Sequence, residues 1–141
     1  MTPTETFNQL QGAWRFERKI TPGGVMRGDA VFNQAGTDAY DYEEQGRWTL
    51  DDGTVGEFSK RYSYRVINDD IHVYYADGVD NGKLFHVLEF DGIGQARAEH
   101  LCGQDLYVSA YKFTLPEKFQ VTHTVQGPKK DYVSVTNFTP S

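Results

Sequence analysis

Two charged residues stand on strand faces that are otherwise apolar. Between residues 12 and 20 the even positions are Gly12, Trp14, Phe16, Arg18 and Ile20; between 40 and 50 they are Tyr40, Tyr42, Glu44, Gly46, Trp48 and Leu50. Burying a lone charge among such side chains is costly, so each needs a partner, a wet rim or a polar cavity. The simplest partner for Arg18 is Glu44. Their pairing reads either as a structural ion pair or as part of an anion clamp, in which a guanidinium in an aromatic cup offers its planar fork to a carboxylate or phosphate.

The densest run of reactive side chains is His100-x-Cys102-x-x-Asp105-x-Tyr107. His100 and Cys102 share a parity, Gly103 marks a turn, and Asp105 and Tyr107 begin the next strand. His100, Asp105 and Tyr107 are thus expected at one barrel end. One cysteine without a close second donor pair does not make a zinc set, so no metal is expected. No helix amino terminus is at hand to activate Cys102, which reads as a small core residue. Histidines are the natural proton carriers near neutral pH, and His86, His100 and His123 fall on apolar or small faces. Glu44 or Asp105 would orient one of them, and Tyr107 would donate to a developing oxyanion. A single inward histidine would also suit haem iron, but no spacing selects it, and no cofactor is expected. The stretch Gly127-Pro128-Lys129-Lys130-Asp131-Tyr132 reads as a turn into the last strand, with Lys130 or Asp131 at a pocket mouth in its sharper reading; it lacks the helix of a phosphate loop.

These residues need elements to position them. Turn signals recur at short intervals, from Pro22-Gly23-Gly24 through Asp51-Asp52-Gly53 and Asn81-Gly82 to Gly127-Pro128, leaving about ten segments between them. Period-two alternation is clear in 12–20, 40–50 and 54–66, the last two forming a hairpin, and it recurs in 84–90, 96–102 and 119–125. Segments 105–114 and 130–138 carry polar and apolar residues on both parities, so their inward faces stay open. Only 3–10 reads as helical, with Pro3 at its first position after a Thr2 cap. The fold class that follows is all-β: an antiparallel closed barrel of about ten strands with a short amino-terminal helix, one domain over residues 1–141. Ten strands leave an interior wider than side chains fill, so a pocket is expected, walled by part of the set Trp14, Phe16, Tyr42, Trp48, Phe58, Tyr62 and Tyr64.

The opening Gly12-Ala13-Trp14 after a short helix resembles the start of lipocalin-like (calycin) barrels, in which the tryptophan closes the barrel floor. More of the chain is similar to a family of small, functionally uncharacterised domains of bacteria and some eukaryotes. The matching pieces are Gly12-x-Trp14 with Arg18, Tyr42-x-Glu44-x-Gly46, Arg61-Tyr62-x-Tyr64, Phe85-His86, His100-Leu-Cys102-Gly-Gln-Asp105-Leu-Tyr107, and Gly127-Pro-Lys-Lys-Asp131-Tyr132. The resemblance implies a lipocalin-like barrel and brings no activity with it. It stresses Arg61, whereas parity points Lys60 inward; a bulge between 54 and 61 would reconcile the two.

The 141 residues carry a formal charge of -6 and no Lys/Arg cluster, which argues against nucleic acid or an anionic membrane surface as partner. The amino terminus has no export pattern, so a cytoplasmic protein is expected. The first functional reading is a barrel binding a small, anionic or aromatic organic molecule, with Arg18, Trp14, Tyr42, Arg61, Tyr62, Tyr64, His86, His123 and Lys130 as ligand contacts. The second is a cofactor-independent acid–base enzyme, an isomerase, cyclase or lyase, with Glu44, His100, Asp105 and Tyr107 as its catalytic set. The two part on whether a hydrogen-bonded Glu–His or His–Asp pair faces the cavity. The third is an interaction module whose barrel is filled.

Overall fold

A computed structural model describes residues 2–141, with Cys102 described by its backbone alone, so the expectation for the Cys102 side chain lies outside the described residues. Helix α1 (Pro3–Leu10) precedes ten strands: β1 (Gly12–Thr21), β2 (Gly24–Gly36), β3 (Ala39–Leu50), β4 (Val55–Ile67), β5 (Asp70–Tyr75), β6 (Leu84–Phe90), β7 (Gln95–Cys102), β8 (Asp105–Thr114), β9 (Lys118–Gln126) and β10 (Asp131–Pro140). Each strand pairs antiparallel with its neighbours in sequence, and β10 closes on β1 from Trp14↔Pro140 to Thr21↔Val133. The result is a closed, lipocalin-like up-and-down barrel with no free sheet edge.

The helix starts where the sequence places it, the Thr2 hydroxyl accepting from the Glu5 amide at 3.1 Å. It plugs one end of the barrel. Phe7 and Leu10 are fully buried, and the Phe7 ring lies 5.2–6.0 Å from the rings of Phe32, Tyr40 and Tyr64. Trp14 completes this floor by donating its indole N–H to the Leu10 carbonyl at 2.8 Å and meeting Phe119 edge-on. The two open parities resolve with Ser109 and Tyr111 in β8, and Ser134, Thr136 and Phe138 in β10, facing inward and buried.

The pairing of β3 with β4 runs without a shift from Ala39↔Arg65 to Thr49↔Val55. The bulge expected between 54 and 61 is therefore absent. Lys60 faces the interior, and Arg61 is exposed on the outer face, its amide N–H held by the Asp77 carboxylate at 2.9 Å.

Glycines bend the wall near the end opposite α1. Gly28 and Gly46 are register partners on the inward parity of β2 and β3. A Cβ on Gly28 would run into the Gln45 carbonyl, and one on Gly46 into that of Arg27. Only a residue without a side chain lets the two backbones fold together this tightly, as at a barrel corner. Gly28→Ala and Gly46→Ala are each expected to lower stability by roughly 1–3 kcal/mol, or several degrees in Tm, as forced overpacking does. Thermal melts followed by circular dichroism check this; an unchanged Tm for both variants would refute the corner.

Candidate functional site

Above the α1 floor the barrel holds a cavity of about 490 Å³. Its wall is largely aromatic. Tyr62, Tyr75 and Phe85 form a near-parallel group, Phe85 lying 5.7 Å from Tyr62 at 18° and 5.0 Å from Tyr75 at 29°. The strand directions set the mouth: β1 rises from the floor at Gly12 to Ile20, so Ile20, Met26, Lys60, Tyr107 and Tyr132 ring the end away from α1.

Arg18 and Glu44 meet on this wall. The guanidinium donates from Nη1 to Oε2 at 2.8 Å and from Nη2 to Oε1 at 2.9 Å, and its Nε–H donates to the Thr136 hydroxyl at 2.7 Å. Tyr42 donates its hydroxyl to Glu44 Oε1 at 2.6 Å. The register explains the meeting. Thr136 is the β10 partner of Arg18, and Glu44 lies across β2, whose inward residues there are the small Gly28 and Ala30. The side chain of Glu44 is 4% exposed and that of Arg18 17%. Burial pulls the Arg18 guanidinium down, but the hydrogen bonds and charge of Glu44 outweigh it and hold Arg18 above its usual range. Burial followed by the charge of Glu44 pushes the Tyr42 phenol far up, so Tyr42 stays a donor. Three of the five guanidinium N–H groups are engaged, leaving two for other partners.

A second polar group lies where β6, β8 and β9 face the interior. The Ser109 hydroxyl is 2.7 Å from His123 Nδ1 and 3.4 Å from His86 Nδ1. Burial, then the neighbouring His123 and His100, lowers His86 to about 3. Burial and then the charge of Arg18 lowers His123 to about 4, against a smaller opposing pull from Glu44. Both imidazoles are neutral at pH 7.

With this geometry in hand the sequence comparison is decisive: a family of unknown function, DUF6314, matches residues 10–140. The chain belongs to that family. No curated protein matches it by sequence. Among solved structures, the barrel of this DUF6314 member is similar to the S-type phycobiliprotein lyase CPES from Guillardia theta, at 10% identity and a TM-score of 0.68 over all of this chain and 93% of that one. It is similar also to the redesigned barrel mFAP1 bound to DFHBI, at 14% identity and a TM-score of 0.53 over 95% of this chain and 97% of that one. A further redesigned barrel, b11L5F_LGL, gives 12% identity and 0.55 over 100% and 99%. At these identities the likeness is one of fold.

The expected ligand contacts distribute unevenly in the DUF6314 barrel. Arg18, Tyr42, Tyr62, Tyr64 and His123 line the cavity. Trp14 lies beneath it in the floor, His86 is buried beside it, and Arg61 points outward because its strand keeps register. Lys130 is exposed and donates to the Tyr107 hydroxyl at 3.2 Å. Of the expected catalytic set, Glu44 and Tyr107 are on the wall, whereas His100 and Asp105 are not. His100 stays near Tyr107, its register partner, at a ring distance of 6.1 Å. Among the described residues no Glu–His or Asp–His hydrogen bond faces the cavity, and no group of three His, Cys, Asp or Glu side chains is arranged to hold a metal ion. Among the described residues no helix is long and apolar enough to cross a membrane. The cavity residues outside the expected set include Lys60, Tyr75 and Phe85. Parity already signalled Lys60; Phe85 comes inward beside a register shift between β5 and β6 that no turn residue announces.

Two outcomes follow. Glu44→Met strands a buried guanidinium and is expected to cost about 3–5 kcal/mol, most of it recovered in R18M/E44M, where apolar groups replace both charges; urea denaturation of the three proteins measures it. Acid is expected to destabilise the fold through its two buried histidines. Unfolded histidines take up protons near pH 6.5, but His86 and His123 do so only near 3 and 4, so below pH 6.5 the unfolded chain binds more protons and stability falls with pH. Each contributes up to roughly 1.4 kcal/mol per pH unit, or about 3 kcal/mol together between pH 7.5 and 5.5. Equal stability at those two values would contradict neutral burial.

Proposed function

We propose that this barrel binds a small, flat organic molecule, aromatic or conjugated, whose acidic group rests at the mouth. The observation that carries the reading is the cavity itself: about 490 Å³, within the range of ligand pockets, walled by rings and holding few polar groups. Its charge runs against that of the whole chain. Two cations, Arg18 and Lys60, face one carboxylate, Glu44, so the lining is formally +1 in a protein of net charge -6. Because Glu44 occupies the Arg18 fork, Lys60 is the cation with a more replaceable partner. Its ammonium lies 5.4 and 5.2 Å from the ring centres of Tyr62 and Tyr75 and 3.1 Å from Asp77, which sits in the loop after β5. A ligand acid lodged there would displace a partly exposed ion pair, an interaction worth little in water.

The similar designed barrel holding DFHBI supports the idea that this architecture can enclose a small molecule. The acid–base reading has less support. Glu44 is held by three donors, and the proton-carrying histidines engage a serine rather than a carboxylate. A filled interaction module has less still, since the cavity touches both Arg18 and Glu44.

Fluorescence titration with 8-anilinonaphthalene-1-sulfonate and its uncharged counterpart N-phenyl-1-naphthylamine tests the reading. Both dyes are expected to bind, the sulfonate more tightly. Lys60→Met should weaken the sulfonate about five- to tenfold while leaving the neutral dye unchanged, the scale of one charge-assisted contact. Val121→Trp, which fills the cavity, should abolish both. Failure of either dye to bind, or binding indifferent to Val121→Trp, overturns the proposal.

A further inference from the structure

The inner wall of the cavity has more hydrogen-bond donors than it uses. The planar guanidinium of Arg18 gives its Nη1 and Nη2 edge to Glu44 and its Nε–H to Thr136, which leaves one N–H on each flank of the Glu44 fork without a partner among the described residues. Arg18 borders the cavity and its side chain is 17% exposed, so a molecule inside can touch it. Tyr62 borders the cavity too. Its hydroxyl has no hydrogen-bond partner among the described residues, yet it is not one of the buried atoms that lack one, so it keeps accessible surface. Tyr64 and Tyr111 meet hydroxyl to hydroxyl at 3.2 Å on the same wall, and whichever oxygen donates, one hydrogen of the pair is left over. Burial raises all three phenols, Tyr111 to about 12, so each keeps its proton at pH 7.

Against these donors stands one carboxylate. Glu44 already accepts from Nη1 and Nη2 of Arg18 and from the Tyr42 hydroxyl. A second carboxylate on the flank of Arg18 would lie close to Glu44, and the two like charges would oppose each other across one guanidinium. A neutral carbonyl oxygen takes the same donors without that cost, and its two lone pairs suit one N–H and one O–H. The charge of Arg18 acts on the Tyr62 phenol, and the Tyr62 ring lies 6.2 Å from that of Tyr42, whose hydroxyl meets Glu44. Both donors therefore border the same part of the cavity.

We propose that the spare N–H groups of Arg18 and the Tyr62 hydroxyl form an inner subsite for a neutral carbonyl oxygen, which narrows the ligand to aromatic or conjugated carbonyl compounds. This inference rests on the cavity-binding reading above and adds a deeper pole to the acid-receiving mouth at Lys60. A bond donated by a charged group is about twice as strong as a neutral one, so Arg18 carries the larger share and Tyr62 the smaller. A site built to pair a polar atom of its ligand discriminates against the analogue that lacks it, because the site's own groups are then left unpaired.

The probes are 2-acetylnaphthalene and 2-isopropenylnaphthalene, equal in shape, with a methylene in the second where the first has its carbonyl oxygen. Each displaces N-phenyl-1-naphthylamine from the barrel, and the quantity read is the ratio of their affinities. R18M/E44M removes the charged donor without stranding Glu44 and should shift that ratio against the ketone roughly tenfold, and Tyr62→Phe should do so roughly threefold. Independently of any variant, the carbonyl stretch of 2-acetylnaphthalene bound to the wild type should lie below its value in an alkane solvent. Should R18M/E44M fail to fold, Tyr62→Phe and the wild-type stretch decide between them. A ratio that either change leaves unmoved, or a bound carbonyl stretch at its alkane value, overturns the proposal. Binding of the hydrocarbon alone sinks this inference and spares the cavity reading; binding of neither naphthalene sinks both.

Discussion

The ladder between β1 and β10 is the constraint on which everything else depends, because it turns ten strands into a closed wall. Closure fixes the circumference, and a circumference of ten strands encloses more volume than alternating side chains fill. The chain uses the surplus unequally. Around α1, large rings from Phe7, Trp14, Phe32, Phe119 and Phe138 meet in the middle and fill the cross-section. Toward the other end the wall carries smaller inward residues such as Gly28 and Ser134, and the cavity lies on that side of the floor. Floor and pocket are thus one decision about residue size, made at different heights of the same wall.

Both polar groups of the interior depend on that same economy of side chains. Arg18 and Glu44 lie two strands apart, on β1 and β3, and meet because β2 offers Gly28 and Ala30 between them. His86 and Ser109 lie two strands apart, on β6 and β8, and β7 between them offers Ala96 and Ala98 on its buried face. In each case a strand with small inward residues lets its two neighbours exchange hydrogen bonds over its surface. A larger residue at any of those positions would separate the partners and leave a buried charge or imidazole to be satisfied by the cavity alone.

Legibility in the sequence follows from the same geometry. The inward faces of β1, β3 and β4 alternate strictly, so Arg18 and Glu44 stand out as lone charges and their pairing is readable before any coordinates. The inward faces of β8 and β10 carry Ser109, Ser134 and Thr136, residues that parity alone leaves unassigned; Ser109 and Thr136 are held inside by hydrogen bonds to other strands, and Ser134 faces the cavity. The Lys60 and Arg61 pair shows the reverse case. Alternation places Lys60 inward, and a motif that stressed Arg61 invited a bulge that the unbroken register lacks. Phe85 was unreadable because its inward position depends on a register shift between β5 and β6.

The acidity of the chain, its most conspicuous bulk property, turns out to be an outer-face property. Glu44 is the one carboxylate on the cavity wall, and it is bound to Arg18, while exposed carboxylates such as Glu17, Asp80 and Glu99 pair with exposed bases outside. An anion inside the barrel therefore meets Lys60 and two uncommitted guanidinium N–H groups before it meets any free negative charge. The negative exterior and the positive mouth work together here. Repulsion from the outer face falls off within about a Debye length, roughly 8 Å at physiological salt, so little of it reaches the cavity. On the reading proposed above, a weakly acidic aromatic is the molecule on which these forces would act most selectively: burial would draw its rings to the wall, and its charge would rest at the mouth.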